Sequence, residues 1–139
     1  MSFDEKNLWL YTTLAIVIPA VYAVTVFSQL ASTPVTEITY IVPLLISIGA
    51  AIVLAIVGSI VISMIWPRDA SRSDERDALF SRRGELVGYY VLSAGVVGVL
   101  VLTVLGVEHF WIANAIYGAF IASAIVSSVV KIVAYRRGA

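Results

Sequence analysis

The chain has 139 residues, of which 60% are hydrophobic and 13% charged, with a mean hydropathy of +0.98 and nine Lys+Arg balancing nine Asp+Glu. A soluble fold of this length needs roughly 25% charged residues to cover its exterior, so the composition excludes an ordinary soluble domain and makes lipid the natural solvent. The lack of cysteine excludes disulfides, thiolate zinc sites and cysteine nucleophiles together, and the zero formal charge offers no global basic field for nucleic acid.

Four apolar stretches, at about 8–30, 38–66, 86–107 and 110–134, are each long enough to cross a hydrocarbon core of about 30 Å, which takes around 20 helical residues. None alternates in the manner of a membrane β-strand, so helices are expected throughout. The first stretch exceeds the apolar run of a signal peptide and follows a net acidic segment, so it is expected to stay in the membrane. Pro19 in its middle removes a backbone donor and predicts a kink. The second stretch should outspan the bilayer and tilt or project, with a bend expected at Pro43.

The segment PRDASRSDERDALFSRRGEL, residues 67–86, is the one sizeable polar stretch and carries ten of the eighteen charged residues, five of each sign. Ser71 and Asp74 have capping-box spacing, Ser73 competes as the cap, and Asp74, Glu75 and Asp77 would then occupy a first turn where the helix dipole favours anions. A helix is therefore predicted from about 73 that runs unbroken into the third apolar stretch, to about 107. Leu79, Leu86 and Tyr90 share one stripe of it. The expected fold is a single all-α transmembrane domain over 1–139, a four-helix bundle with helices at about 8–30, 38–66, 73–107 and 110–134. The third carries a cytoplasmic helical extension.

Orientation follows from the positive charges. Lys6 precedes the first helix, five arginines lie between the second and third, and Lys131, Arg136 and Arg137 end the fourth, while the links at 31–37 and 108–109 carry none. Both termini and the central segment are therefore expected in the cytoplasm, in a multi-pass protein of the plasma membrane. Trp9, Trp66 and Trp111 fall at helix ends, as do Tyr40, Tyr89, Tyr90, Phe110 and Tyr135, which matches interfacial aromatic belts.

Small residues recur every fourth position in the second helix, at Ser47, Ala51, Ala55, Ser59 and Ser63, and in the fourth at Ala115, Ala119, Ser123 and Ser127. Gly84 and Gly88 form a GxxxG. Such ladders let helix backbones approach closely, either within the bundle or between subunits. Lys131 is the one candidate for an intramembrane charge. It can snorkel to the headgroups, where Arg136 and Arg137 would also meet anionic lipid. The lack of an embedded carboxylate weighs against a proton-coupled exporter. Glu108, His109 and Asn114 lie near one boundary, and one His with one carboxylate is too few ligands for a tetrahedral metal site.

Asp74, Glu75, Arg76, Asp77, Arg82, Arg83 and Glu85 form the densest charge cluster, read either as a solvated helix end or as a docking element. No apolar pocket, His or nucleophile accompanies them, so neither catalytic residues nor a cofactor are expected. The run SDERDALFSRRGELVGYYVL resembles a family of small four-helix membrane proteins of unknown function, largely archaeal, with a D-E-R-D element before the third helix. The resemblance implies the four-helix architecture and marks Asp74, Glu75, Arg76, Asp77, Arg83 and Tyr89 without giving them a role. The functional expectation is a homo-oligomeric interaction or regulatory module in the bilayer, using the charged elbow at 68–86 toward itself or a cytoplasmic protein. One alternative is a small oligomeric channel or transporter lined by Ser47, Ser59, Ser63, Ser123, Ser127 and Ser128. The other is a membrane enzyme acting on lipid.

Overall fold

The computed structural model describes residues 1–70 and 74–138, and the described residues are helical almost throughout. Five helices follow in chain order: α1 Phe3–Phe27, α2 Ile41–Ile65, the single turn α3 Pro67–Ala70, α4 Glu75–Val104 and α5 His109–Arg137. Short 3-10 turns at Ser28–Ala31 and Val35–Glu37 fill the link between α1 and α2. The four long helices are each long and apolar enough to cross a membrane. Their outward surfaces are apolar, with Val24, Met64 and Val104 more than 70% exposed, the inverse of a soluble protein. Hydroxyls that would otherwise face lipid bond back along their own helix, as Thr13 does to the Trp9 carbonyl at 2.8 Å and Ser93 to the Tyr89 carbonyl at 2.8 Å.

The helix ends differ from the sequence expectation for identifiable reasons. α1 starts at Phe3 rather than near 8, because the Ser2 hydroxyl accepts the Glu5 amide at 3.1 Å and Asp4 and Glu5 sit in the first turn. Pro43 lies in the first turn of α2, where the amide it lacks would have had no intrahelical partner, so the expected reason for a bend is gone. α2 stops at Ile65 because Trp66 precedes Pro67 and is pushed out of the helical region, and Pro67 then opens α3. α4 begins at Glu75 with Asp74 as its N-cap, not its third residue. The expected caps Ser71 and Ser73 lie outside the described residues. α4 ends at Val104 rather than 107, since Gly106 takes a left-handed φ of 69° and the Val107 and Gly106 amides fold back on the Leu102 and Thr103 carbonyls at 3.2 and 3.1 Å.

Packing is dominated by two helix pairs, α4 with α5 and α1 with α2, joined by α1 against α5. Gly84, Gly88 and Gly95 of α4 face the small-residue row of α5. A Cβ on Gly84 would lie 2.8 Å from the Ser127 carbonyl, one on Gly88 3.2 Å from the Ser123 carbonyl, and one on Gly95 2.6 Å from the Ala119 Cβ. The Ser123 hydroxyl closes this seam by donating to the Gly88 carbonyl at 2.7 Å. The α2 ladder also turns inward: Ser47 is buried and Ala51, Ala55, Ser59 and Ser63 are half-buried, on a helix that packs mainly on α1. Ala51→Leu and Ala55→Leu are therefore expected to destabilise the monomer by about 1–3 kcal/mol through overpacking, read as loss of thermal stability in detergent. Unchanged stability in both variants would place the ladder against lipid.

At the end opposite the termini, Tyr22, Val26, Ile38 and Phe110 form the buried apolar core, with Tyr40 and Tyr117 packed on it. Two polar links pin three helices there. The Tyr22 hydroxyl donates to Asn114 Oδ1 at 2.7 Å, and the Ser47 and Tyr117 hydroxyls bond each other.

Candidate functional site

The other end of the bundle gathers both termini and most of the charge. Lys6 Nζ lies 4.1 Å from the centre of the Trp66 ring, and the Arg136 guanidinium 5.8 Å from that of Trp9, so the start of α1 is tied to the ends of α2 and α5. The start of α4 packs on the end of α5 through Phe80 and Tyr135, whose rings meet edge to face at 5.0 Å, and Arg76 covers Phe80 at 5.2 Å.

The charged elbow divides into two faces. Phe80, Gly84 and Gly88 are buried at helical spacing, and Asp77 lies on the same face. Its carboxylate belongs to the cluster read either as a solvated helix end or as a docking element, and Asp77 is buried, with Oδ1 accepting the Tyr135 hydroxyl at 2.6 Å and Oδ2 the Asp74 amide at 3.3 Å. Tyr135, read from sequence as a belt residue, is thus its principal partner. Asp74, Glu75, Arg76, Arg82, Arg83 and Glu85 are exposed, as are Leu79, Leu86, Tyr89 and Tyr90.

Between the first two turns of α1, the inner face of α4 and the end of α5 lies a half-open cleft of about 550 Å³. Asp77 and Tyr135 stand at its outer end. Toward the apolar span come Ser81, Glu85, Lys131 and Ser59. The Lys131 side chain lies over Gly84, only 20% exposed, and Nζ meets Glu85 Oε1 at 3.5 Å, while Ser81 donates to the same oxygen at 2.7 Å. Glu85 is 66% exposed, so this single long contact is a weak one. Asn7 lines the cleft from α1, buried to 7% exposure, and its Oδ1 has no hydrogen-bond donor. A second cleft of about 430 Å³ reaches Asp77, Phe3 and Tyr135 from the other side.

Sequence reasoning missed Asn7, Tyr135 and the role of Asp77. The Ser2-x-x-Glu5 pattern was the available signal that α1 begins early enough to bring Asn7 into the site. Arg136 and Arg137 end α5 exposed, and Arg136 is engaged with Trp9. At the opposite end, Asn114 is drawn inward to Tyr22, away from exposed Glu108 and His109. Among the described residues no three metal-ligating side chains come together. Of the serines considered as pathway lining, Ser47 bonds to Tyr117, Ser63 to the Ser59 carbonyl and Ser123 to Gly88, Ser128 is buried, Ser59 lines the cleft and Ser127 is half-buried.

The fold and this charged end define an all-helical protein with four helices able to cross a membrane. Compared with known proteins, the chain matches no family model, no curated sequence and no solved structure.

Proposed function

We propose that the chain is a four-span protein of the plasma membrane, with both termini and the connection before α4 in the cytoplasm. It acts there as a homo-oligomeric interaction or regulatory module rather than an enzyme. The side follows from the positive charges, none of which falls on the 28–40 or 105–109 links. The observation that carries the reading is the outward face of α4. Leu79 and Leu86 are seven residues apart and 53% and 55% exposed, and Leu79 stands within the charged segment, outside the apolar span.

A second copy in the same bilayer presents its α4 parallel to the first. A seven-residue spacing then brings Leu79 and Leu86 against their own counterparts across a two-fold axis. Arg82 and Arg83 differ from Glu85 in height by only about 3–4.5 Å, so opposite charges face each other at the rim of that contact. Gly84, Gly88 and Gly95 of α4 are taken up against α5 inside the chain, which leaves the outward face with Leu79 and Leu86 open to a second copy.

The test is particle mass in nanodiscs. The parent is expected above monomer mass, and Leu79→Glu and Arg83→Glu are expected to shift it to monomer without loss of helix content. A parent that is monomeric at every concentration overturns the proposal.

A further inference from the structure

The two faces of the α4 start do different work, and the inner one has unmet hydrogen-bonding capacity. Asp77 is a buried carboxylate whose partners are one hydroxyl and one amide, and among the described residues no cation lies within 4.0 Å of it. Burying a carboxylate without a cation is costly, and a buried amide oxygen without a donor adds to that cost. Asn7 Oδ1 is such an oxygen, on a residue that lines the same cleft. Both groups are acceptors, so the cleft is short of N–H donors at its outer end.

Its inner end holds the one cation on its described lining, Lys131, beside the exposed Glu85 carboxylate. Lys131 carries three N–H donors, of which Glu85 engages one at 3.5 Å. Lys131 and Tyr135 are one turn of α5 apart, about 6 Å of rise, with Lys131 nearer the apolar span. Reading outward from the membrane, the cleft therefore presents Lys131, only weakly engaged by the exposed Glu85, and then, one turn on, the buried Asp77 carboxylate with Asn7 on the same lining. A phospholipid bearing a primary amine has the complementary order, with phosphate next to the glycerol and ammonium outermost.

We propose that this cleft binds a phosphoethanolamine headgroup, with the phosphate on Lys131 and the ammonium on Asp77 and Asn7 Oδ1. The ammonium supplies the donors that both acceptors lack, and its charge compensates Asp77. Ser59 and Tyr11 continue the cleft into the span, where acyl chains would leave it. A choline headgroup has the same charges but no N–H, and a glycerol headgroup has no cation. The site therefore selects the primary amine. The proposal uses the inner face of α4 and is independent of the oligomer contact on the outer face.

The experiment is native mass spectrometry and thermal unfolding of the full chain in detergent, with phosphatidylethanolamine, phosphatidylcholine or phosphatidylglycerol added at equal mole fraction. Roughly tenfold greater retention of phosphatidylethanolamine than of either other lipid is expected, the factor one charge-assisted hydrogen bond supplies. A matching rise in the melting temperature should appear for that lipid alone. Asp77→Asn should abolish the preference. Should that variant fail to fold, Asn7→Leu removes the orphan oxygen without touching the Asp77 and Tyr135 pair, and should abolish it as well. Soluble phosphoethanolamine at the same concentration is expected to stabilise far less, and an equal shift would assign the site to a water-soluble ligand and overturn the lipid form. Equal retention of all three lipids, or an undiminished preference in Asn7→Leu, overturns the site itself.

Discussion

Gly84→Ala is expected to destabilise the protein by about 1–3 kcal/mol and Gly84→Leu by more, whereas Gly98→Ala in the same helix is expected to be neutral or stabilising by up to about 1 kcal/mol. Helix propensity and steric clash decide each value. Alanine is the better helix former by roughly 0.5–1 kcal/mol, which favours both substitutions. At Gly84 the new methyl group would stand 2.8 Å from the Ser127 carbonyl, a backbone atom that yields only if α4 and α5 move apart, so the clash outweighs the propensity gain. At Gly98 nothing lies within 4 Å and only the gain remains. Gly88→Ala falls between, with its nearest backbone neighbour at 3.2 Å. Unfolding in mixed micelles, followed by helix content, gives all four values. Equal effects at Gly84 and Gly98 would mean that the α4 and α5 backbones are not in close contact.

The spans were legible because each is a long apolar run, and hydropathy is a local property of sequence. GxxxG was legible for the same reason, but not its partner, since a motif names a smooth face and not what covers it. Gly95 extends that face seven residues on and was overlooked because the pattern breaks at Leu92. Helix ends depended on single residues: the Ser2 cap and the left-handed Gly106 each moved a boundary by several positions, while the Trp66-Pro67 step ended α2 within one residue of the expected 66.

The candidate site was legible only in part. Its charged segment stood out, but Asp77 looked like one acid among five in that segment, and Tyr135 like any interfacial tyrosine. The spacing of Phe80, Gly84 and Gly88 did define a buried face, and Asp77 lies three residues before Phe80 on it. What the pattern could not supply was the donor that makes burying a carboxylate tolerable, because that donor lies 58 residues away. The Tyr22 bond to Asn114 spans 92 residues and was invisible for the same reason.

That long-range pair sets the last expected result. Tyr135→Phe removes one oxygen and keeps the ring that packs on Phe80, so its effect isolates the hydrogen bond to Asp77. A hydrogen bond to a charged group contributes about 1.5–3 kcal/mol, and breaking it leaves a buried carboxylate held by the Asp74 amide alone, so a loss of about 2–3 kcal/mol is expected at neutral pH. Asp77→Ala should cost at least as much, since it also removes the acceptor for that amide at the start of α4. The two effects should not add. In Asp77→Ala the Tyr135 hydroxyl has already lost its partner, so the further change to Phe should cost little, and a double-mutant cycle should return a coupling of roughly 1.5 kcal/mol or more. An exposed contact gives at most about 1 kcal/mol, so the size of the coupling separates a buried lock from a solvated helix end. Coupling near zero would mean that Asp77 and Tyr135 are hydrated separately. The start of α4 would then lose the anchor that holds its inner face against α5 and leaves Leu79, Arg82 and Arg83 outward.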